Sequence, residues 1–142
     1  MFRTKKRISK LFFLKRKRRR VSVAPSKHYL AHKESARTLV HERLSVLNEF
    51  YNFAYNKVAI RDQKSRWGSC STKKNLNFNY RIQFLPAHLI DYIVAHELCH
   101  LEEFNHGENF WKLVEKAIPR YRECQAELRK VRMQKGAGLQ IF

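Results

Sequence analysis

The spacing of apolar residues predicts a long helix in the first third of the chain. Between about Lys27 and Asn56, apolar residues recur every three or four positions, as they do on one face of a helix. These residues are Leu30, Leu39, Val40, Leu44, Leu47, Phe50, Tyr51 and Ala54. The preceding segment, 21–26, contains Pro25 and reads as a link to a very different N-terminus. We expect this helix to pack across a small sheet.

Two segments with a two-residue period follow, and both predict strands. Val58 and Ile60 alternate with polar residues within 57–63. In 75–84, apolar and polar residues alternate without interruption, which is typical of a half-buried strand. The small residues of 66–71 predict a tight loop between the two strands. An edge of the 75–84 strand is also a candidate for pairing with an extended peptide.

The rest of the chain predicts three helices. Pro86 suits the first turn of a helix whose wide apolar face comprises Leu89, Ile90, Ile93, Val94, Leu98 and Leu101. A second helix containing Phe110 is expected to end near Pro119, and a basic one to run from Tyr121 to about Gln134.

A histidine pair at the edge of that apolar face has the spacing of a metal site. His96 and His100 are four residues apart, so on a helix both imidazoles can reach one tetrahedral ion. Glu97 stands beside them. A carboxylate in that position can take a proton from an activated water and pass it to a leaving amine. The pattern therefore predicts a zinc hydrolase with Glu97 as its acid/base.

A third imidazole, His106, follows His100 by six residues, which is the spacing of the extended metzincin pattern. That pattern has glycine three residues after the second histidine, whereas this chain has Glu103, so the metzincin label does not fit. We expect the helix to end by another route, with Asn105 or Gly107 in a left-handed conformation.

Two other metal sites are compatible with the sequence. A later carboxylate could replace His106 as the third ligand, the candidates being Glu115, Glu123 and Glu127. Alternatively, Cys99 lies within the motif and could close the coordination sphere, which would make the site structural. His106 is the favoured third ligand because its loop is short.

Composition adds a strongly basic N-terminus to this picture. The 142 residues are 44% hydrophobic and 13% aromatic, enough for one domain with a core. Of the net charge of +18, more than half is contributed by residues 1–20, which contain eleven lysines and arginines and no acid. We expect 1–26 to form a flexible tail and 27–142 the domain. The candidate contacts to DNA or RNA phosphates are Lys15, Arg16, Lys17, Arg18, Arg19 and Arg20; a solvated tail or an anionic membrane surface are the alternatives.

The cysteines and the absence of a long apolar segment indicate a cytoplasmic location. Cys70, Cys99 and Cys124 are odd in number and form no C-x-x-C pair, so free thiols are expected. No segment resembles a signal peptide or a membrane span. Nothing in the sequence indicates an oligomeric state.

Several motifs in order along residues 28–130 resemble those of the YgjP-like metallopeptidases, relatives of the SprT/Spartan and WLM groups of zinc peptidases. They are residues 66–70, 77–81, Pro86, 92–101 and 105–111. The resemblance implies an α+β fold of the minimal, gluzincin-like zincin type, with a long N-terminal helix and a small sheet packed on the metal-binding helix. It also implies His96, His100 and His106 as ligands of one Zn²⁺, and Glu97 as catalytic acid/base.

The predicted function is hydrolysis of peptide bonds in a protein or peptide substrate by a zinc-activated water. Four residues are candidates for the donor that stabilises the tetrahedral oxyanion: Arg66, Arg81, His88 and Tyr92. The alternative function is a nucleic-acid-binding module with a structural or vestigial zinc site. The two combine in a peptidase that acts on nucleic-acid-associated proteins.

Overall fold

The computed structural model describes residues 23–132 and 140–141 of the chain. In chain order, the elements are α1 (Lys27–Tyr51), β1 (Lys57–Arg61), β2 (Gly68–Cys70), β3 (Asn75–Asn79), a 3-10 helix (Tyr80–Phe84), α2 (Ala87–Cys99), α3 (Glu108–Ala117), α4 (Tyr121–Lys130), β4 (Val131–Arg132) and β5 (Gln140–Ile141). Four helices and a three-stranded sheet confirm the predicted α+β class. Within these ranges, no helix is both long enough and apolar enough to cross a membrane. The predicted phosphate contacts at 15–20 lie outside the described residues.

Helix α1 begins and ends at capping residues. The hydroxyl of Ser26 accepts a hydrogen bond from the Tyr29 amide, 3.1 Å away. At the other end, Asn52 adopts a left-handed conformation with φ of 53°, and the Asn48 side chain bonds the backbone of Phe53. These contacts end the helix at Tyr51, five residues before the predicted boundary. One narrow stripe of its residues is buried in the core: Ala36, Val40, Leu44 and Leu47.

The sheet has the strand order β1-β3-β2. Strand β3 pairs in parallel with β1 and antiparallel with β2, so both of its edges are occupied. The prediction that this strand offers an edge to a peptide is therefore wrong. The predicted tight loop at 66–71 is also wrong in part, because residues 68–70 form β2. Their small side chains give little strand signal on their own, and their place in the sheet comes from pairing with β3.

Asn79 ends β3 and begins the 3-10 helix. Its side-chain oxygen accepts a hydrogen bond from the amide of Arg81, 3.1 Å away, and this cap turns the chain. The predicted strand to Phe84 is therefore five residues too long. Asn79 and Arg81 were expected on the exposed face, but they are 0% and 7% exposed. Both are buried with partners: Arg81 bonds the Asp62 carboxylate, 2.8 Å away, and Asn79 bonds backbone carbonyl groups.

Helix α2 runs through the middle of the domain. Nine of its 13 residues are buried, so it is covered on nearly every side and not only on one stripe. A bidentate ion pair between Arg43 and Asp91, with N–O distances of 2.6 and 2.9 Å, joins it to α1. Helix α4 ends at Lys130 and not near Gln134, because the following residues pair as β4 with β5.

Candidate metal centre

Three imidazoles meet at the C-terminal end of α2. His96 lies in its last turn, His100 is its C-terminal cap, and His106 arrives from the loop before α3. The Nε2 atoms are 3.1 Å apart for His96 and His100, 3.0 Å for His100 and His106, and 3.2 Å for His96 and His106. In the part of the chain that the structure describes, this is the one group of three or more His, Cys, Asp or Glu side chains positioned to hold a metal ion.

The loop reaches the site through consecutive tight turns. The amide of Leu101 bonds the Leu98 carbonyl at 3.0 Å, and that of Glu103 bonds the Cys99 carbonyl at 2.9 Å. The predicted left-handed residue is wrong: Gly107 has φ of −82° as the cap of α3, and Asn105 is not among the described non-glycine residues with positive φ. Backbone hydrogen bonds, and not a left-handed residue, therefore reverse the direction of the chain after α2.

Aromatic side chains of α3 pack against the three imidazoles. Phe110, which is fully buried, stacks on His100 with ring centroids 4.5 Å apart and meets His96 edge-on at 4.9 Å. Trp111 stacks on His106 at 5.8 Å. These contacts restrict the rotation of all three rings, which orients their nitrogen atoms before any ion binds.

The electrostatics of the cluster suit a cation. Burial lowers the pKa of His96 to about 3, with His100 and His106 lowering it further, and burial also lowers the pKa of His100. Both rings are therefore neutral near pH 7 and present lone pairs. His100 Nδ1 lies 3.0 Å from the Glu103 carbonyl oxygen, to which it donates, so its Nε2 is the unprotonated atom.

The nitrogen separations fit a transition metal. Tetrahedral ligands at 2.0–2.1 Å from zinc lie about 3.3 Å from one another, close to the separations in this cluster. A cation between the three nitrogens would offset the repulsion of their converging lone pairs, so the arrangement is suited to a metal ion. The residues present therefore fit the metal that a metallopeptidase requires.

Glu97 lies beside the imidazoles and is almost completely buried, with 6% of its surface exposed. Burial raises the pKa of Glu97 to about 8, and the nearby charge of Arg66 opposes this shift. Strand β2 covers the carboxyl group closely: a Cβ atom added to Gly68 would lie 2.8 Å from both Cγ and Oε1 of Glu97. Only glycine leaves room for the strand to approach so near.

The other candidate ligands lie elsewhere. Cys99 is fully buried among the apolar side chains of the core, so it belongs to the core. Glu115 is exposed on α3, Glu123 pairs with Arg120, and Glu127 pairs with His88. None of these residues belongs to the described metal-competent group.

A cavity of about 260 Å³, which we call the Arg66 cavity, opens beside His96 and Glu97. Its remaining lining comes from Arg66, Trp67, Gly68, Tyr92, Ile93 and Leu128.

Of the four predicted oxyanion donors, Arg66 and Tyr92 lie at this cavity. Arg81 is held by Asp62, and His88 bonds Glu127 at a separate cavity. The close approach of Gly68 to Glu97 was not predicted, because the small residues of β2 give little strand signal of their own.

Comparisons with known proteins agree with this geometry. No curated protein matches the sequence significantly. The crystal structure of the metallopeptidase zymogen of Pyrococcus abyssi abylysin is similar at a TM-score of 0.58, with 26% identity over 63% of this chain and 90% of that one. That of the Methanocaldococcus jannaschii jannalysin zymogen is similar at a TM-score of 0.52, with 27% identity over 66% and 93%. The family model of the YgjP-like metallopeptidase domain matches residues 5–131, and the chain belongs to this family.

Proposed function

We propose that this chain is a zinc metalloendopeptidase of the HExxH-x5-H type that cleaves proteins or peptides. The observation that carries the proposal is the convergence of three imidazole nitrogens, 3.0–3.2 Å apart, beside a buried carboxyl group. Membership of a metallopeptidase family supports the reaction class.

His96, His100 and His106 would hold one Zn²⁺, since neutral imidazoles are preferred zinc ligands. Catalytic zinc sites typically have three protein ligands, whereas structural sites have four. When bound, the ion would polarise the scissile carbonyl group and lower the pKa of water, which would supply a nucleophile near neutral pH. The number of histidine ligands argues against a purely structural zinc.

Glu97 takes the proton of the attacking water in this proposal and delivers it to the leaving amine. Burial alone favours the protonated carboxyl group, and a neighbouring cation favours the ionised one. A bound cation would therefore favour the ionised form of Glu97, which can accept a proton. Strand β2, through Gly68, packs closely against the carboxyl group and limits its movement.

Strand β2 would also position the substrate. It is the last strand of its sheet, and its outer edge has no partner strand among the described residues. An extended peptide can pair with such an edge through backbone hydrogen bonds. Substrates in this proposal are therefore unfolded or flexible segments, which can adopt an extended conformation.

The test is cleavage of a reduced, alkylated, unfolded protein by the zinc-loaded chain. We expect Glu97→Gln to lower the rate about 10²- to 10⁴-fold, the usual contribution of a general acid/base, with zinc content unchanged. Glu102→Gln is the matched control, because Glu102 is an exposed carboxylate five residues away. Equal rates for Glu97→Gln and the wild type would contradict the proposal.

Association with nucleic acid is a separate part of the proposal and rests on the six consecutive basic residues 15–20. Phosphate contacts by lysine and arginine release counterions, so this binding would weaken steeply with salt. Replacing all six with serine is expected to reduce DNA affinity and its salt dependence while zinc content stays constant. DNA binding with an unchanged salt dependence would exclude this role of the segment.

We also propose a cytoplasmic location. Cys70, Cys99 and Cys124 are all free thiols, as expected in a reducing compartment. Fractionation of cells that express the tagged chain would test this.

A further inference from the structure

The Arg66 cavity has an apolar interior and a charged rim. Trp67, Tyr92, Ile93 and Leu128 contribute mainly apolar surface, and the guanidinium of Arg66 is exposed. Its volume of about 260 Å³ is below the roughly 300–1,000 Å³ of sites that hold whole small molecules. The cavity is therefore of a size for one large apolar side chain of a peptide, with a cation beside it.

Arg66 has no hydrogen bond or ion pair for its side chain within the described part of the chain. Arg81, which is anchored to the same loop, is the opposite case: its guanidinium bonds Asp62 and the Gln63 carbonyl and lies over the Tyr80 ring. Arg81 thus has a structural role. The guanidinium of Arg66 acts on Glu97 through its charge alone and is available to a group that enters the cavity.

The backbone that carries Arg66 is nevertheless fixed. The side-chain nitrogen of the buried Asn79 donates to the carbonyl oxygens of Gln63 and Arg66, at 2.7 and 2.9 Å, and the Asn79 amide donates to the Trp67 carbonyl at 2.8 Å. This network holds residues 63–67 by their backbone. Truncating the Arg66 side chain would leave all of these bonds intact.

From these observations we infer that Arg66 selects substrates that carry a carboxylate next to an apolar residue at the cleavage site. This deepens the proposed peptidase function and rests on it. The apolar side chain enters the cavity, and the guanidinium pairs with the carboxylate, a geometry for which its fork of donors is suited. The carboxylate comes either from the C-terminus of the peptide or from an acidic side chain that follows the apolar residue.

Peptide binding to zinc-loaded Glu97→Gln protein tests this without requiring hydrolysis, so it stays readable if the proposed catalysis fails. One pair of acetylated peptides ends in leucine as free acid or amide. A second pair is amidated and has internal leucine followed by glutamate or glutamine. Calorimetry is expected to give about fivefold tighter binding of the carboxylate member in at least one pair, since an exposed ion pair contributes up to about 1 kcal/mol. The pair in which the carboxylate member binds more tightly shows whether Arg66 recognises the terminal or the side-chain carboxylate.

Adding Arg66→Ala should make the two members of that pair bind equally. Adding Lys64→Ala instead should preserve the preference, because Lys64 is an exposed cation two residues away that lines a different cavity. In the active enzyme, Arg66→Ala should raise KM for the carboxylate peptide more than KM for its uncharged partner. Equal binding of both members before the substitution, or a preference that survives Arg66→Ala, would overturn the inference.

Discussion

The candidate site has two walls of different origin. One wall is the end of α2, where His96, Glu97 and His100 lie within five consecutive residues. The other consists of Arg66, Trp67 and β2, which lie about 30 residues earlier and meet α2 only through the fold. The first wall holds candidate metal ligands and the candidate acid/base. The second limits the space around the Glu97 carboxyl group. Local helical geometry builds the first, whereas long-range pairing and buried hydrogen bonds build the second.

Removing a ligand from the α2 wall should have the largest effect. His100→Ala is expected to weaken zinc binding by more than about 100-fold, since loss of outer-shell partners alone costs 10- to 100-fold. His88→Ala is the control, because His88 lies on the same helix but bonds Glu127 away from the cluster. Competition with a chromogenic chelator measures both affinities. Equal zinc affinity in the two variants would show that His100 is not a ligand.

Crowding the second wall should have the next largest effect. In Gly68→Ala, the new Cβ would lie 2.8 Å from Glu97, so either the carboxyl group or β2 must move. Displacement of a reacting group by about 1 Å can cost about 10²-fold in rate, and we expect a loss of that order in kcat/KM with zinc affinity retained.

Gly107→Ala is the matched control for this substitution. No atom lies within 4 Å of a Cβ at Gly107, and its backbone conformation suits any residue. We therefore expect near wild-type activity. Full activity in Gly68→Ala, measured with the same unfolded substrate, would mean that the second wall does not confine Glu97.

The smallest effect concerns stability. Asn79→Leu removes the donors to the carbonyl groups of Gln63 and Arg66 and the acceptor for the Arg81 amide. Leaving buried polar groups without partners costs about 1–3 kcal/mol, so the free energy of unfolding should fall by about that amount. Chemical denaturation measures the change.

Asn77→Leu is the corresponding control on the same strand. Asn77 is partly exposed, and its side chain makes one 3.3 Å hydrogen bond to Ser69. A change within about 0.5 kcal/mol is expected there. Similar losses at both positions would show that the buried network around Asn79 has no special weight in holding residues 63–67.

The sequence allowed prediction of those parts of the site that depend on short-range geometry. Four-residue spacing was enough to bring His96 and His100 to one side, and the helical period identified α1 and α2. The ends of α1 and of β3 were missed, because the side chains of Asn48 and Asn79 bond nearby backbone and change its direction. Such competition is not visible in a hydrophobic pattern.

The second wall escaped prediction for a different reason. Asn79 and Arg81 occupied polar positions in an alternating segment, and a polar residue that is buried with all its partners looks the same in sequence as an exposed one. Strand β2 contains only small side chains, so its pairing with β3 had no local signal. The close contact of Gly68 with Glu97 is visible only once β2 and α2 are both placed in the fold.

The most direct test of the account is zinc reconstitution. The chain is stripped with a chelator, and peptidase activity and bound zinc are then followed as zinc is added in substoichiometric steps. We predict that activity is absent without metal and complete at one equivalent, while Glu97→Gln binds the same single equivalent and stays inactive. Activity in the metal-free chain, or full activity in zinc-loaded Glu97→Gln, would contradict the assignment of one zinc to the three histidines and of proton transfer to Glu97.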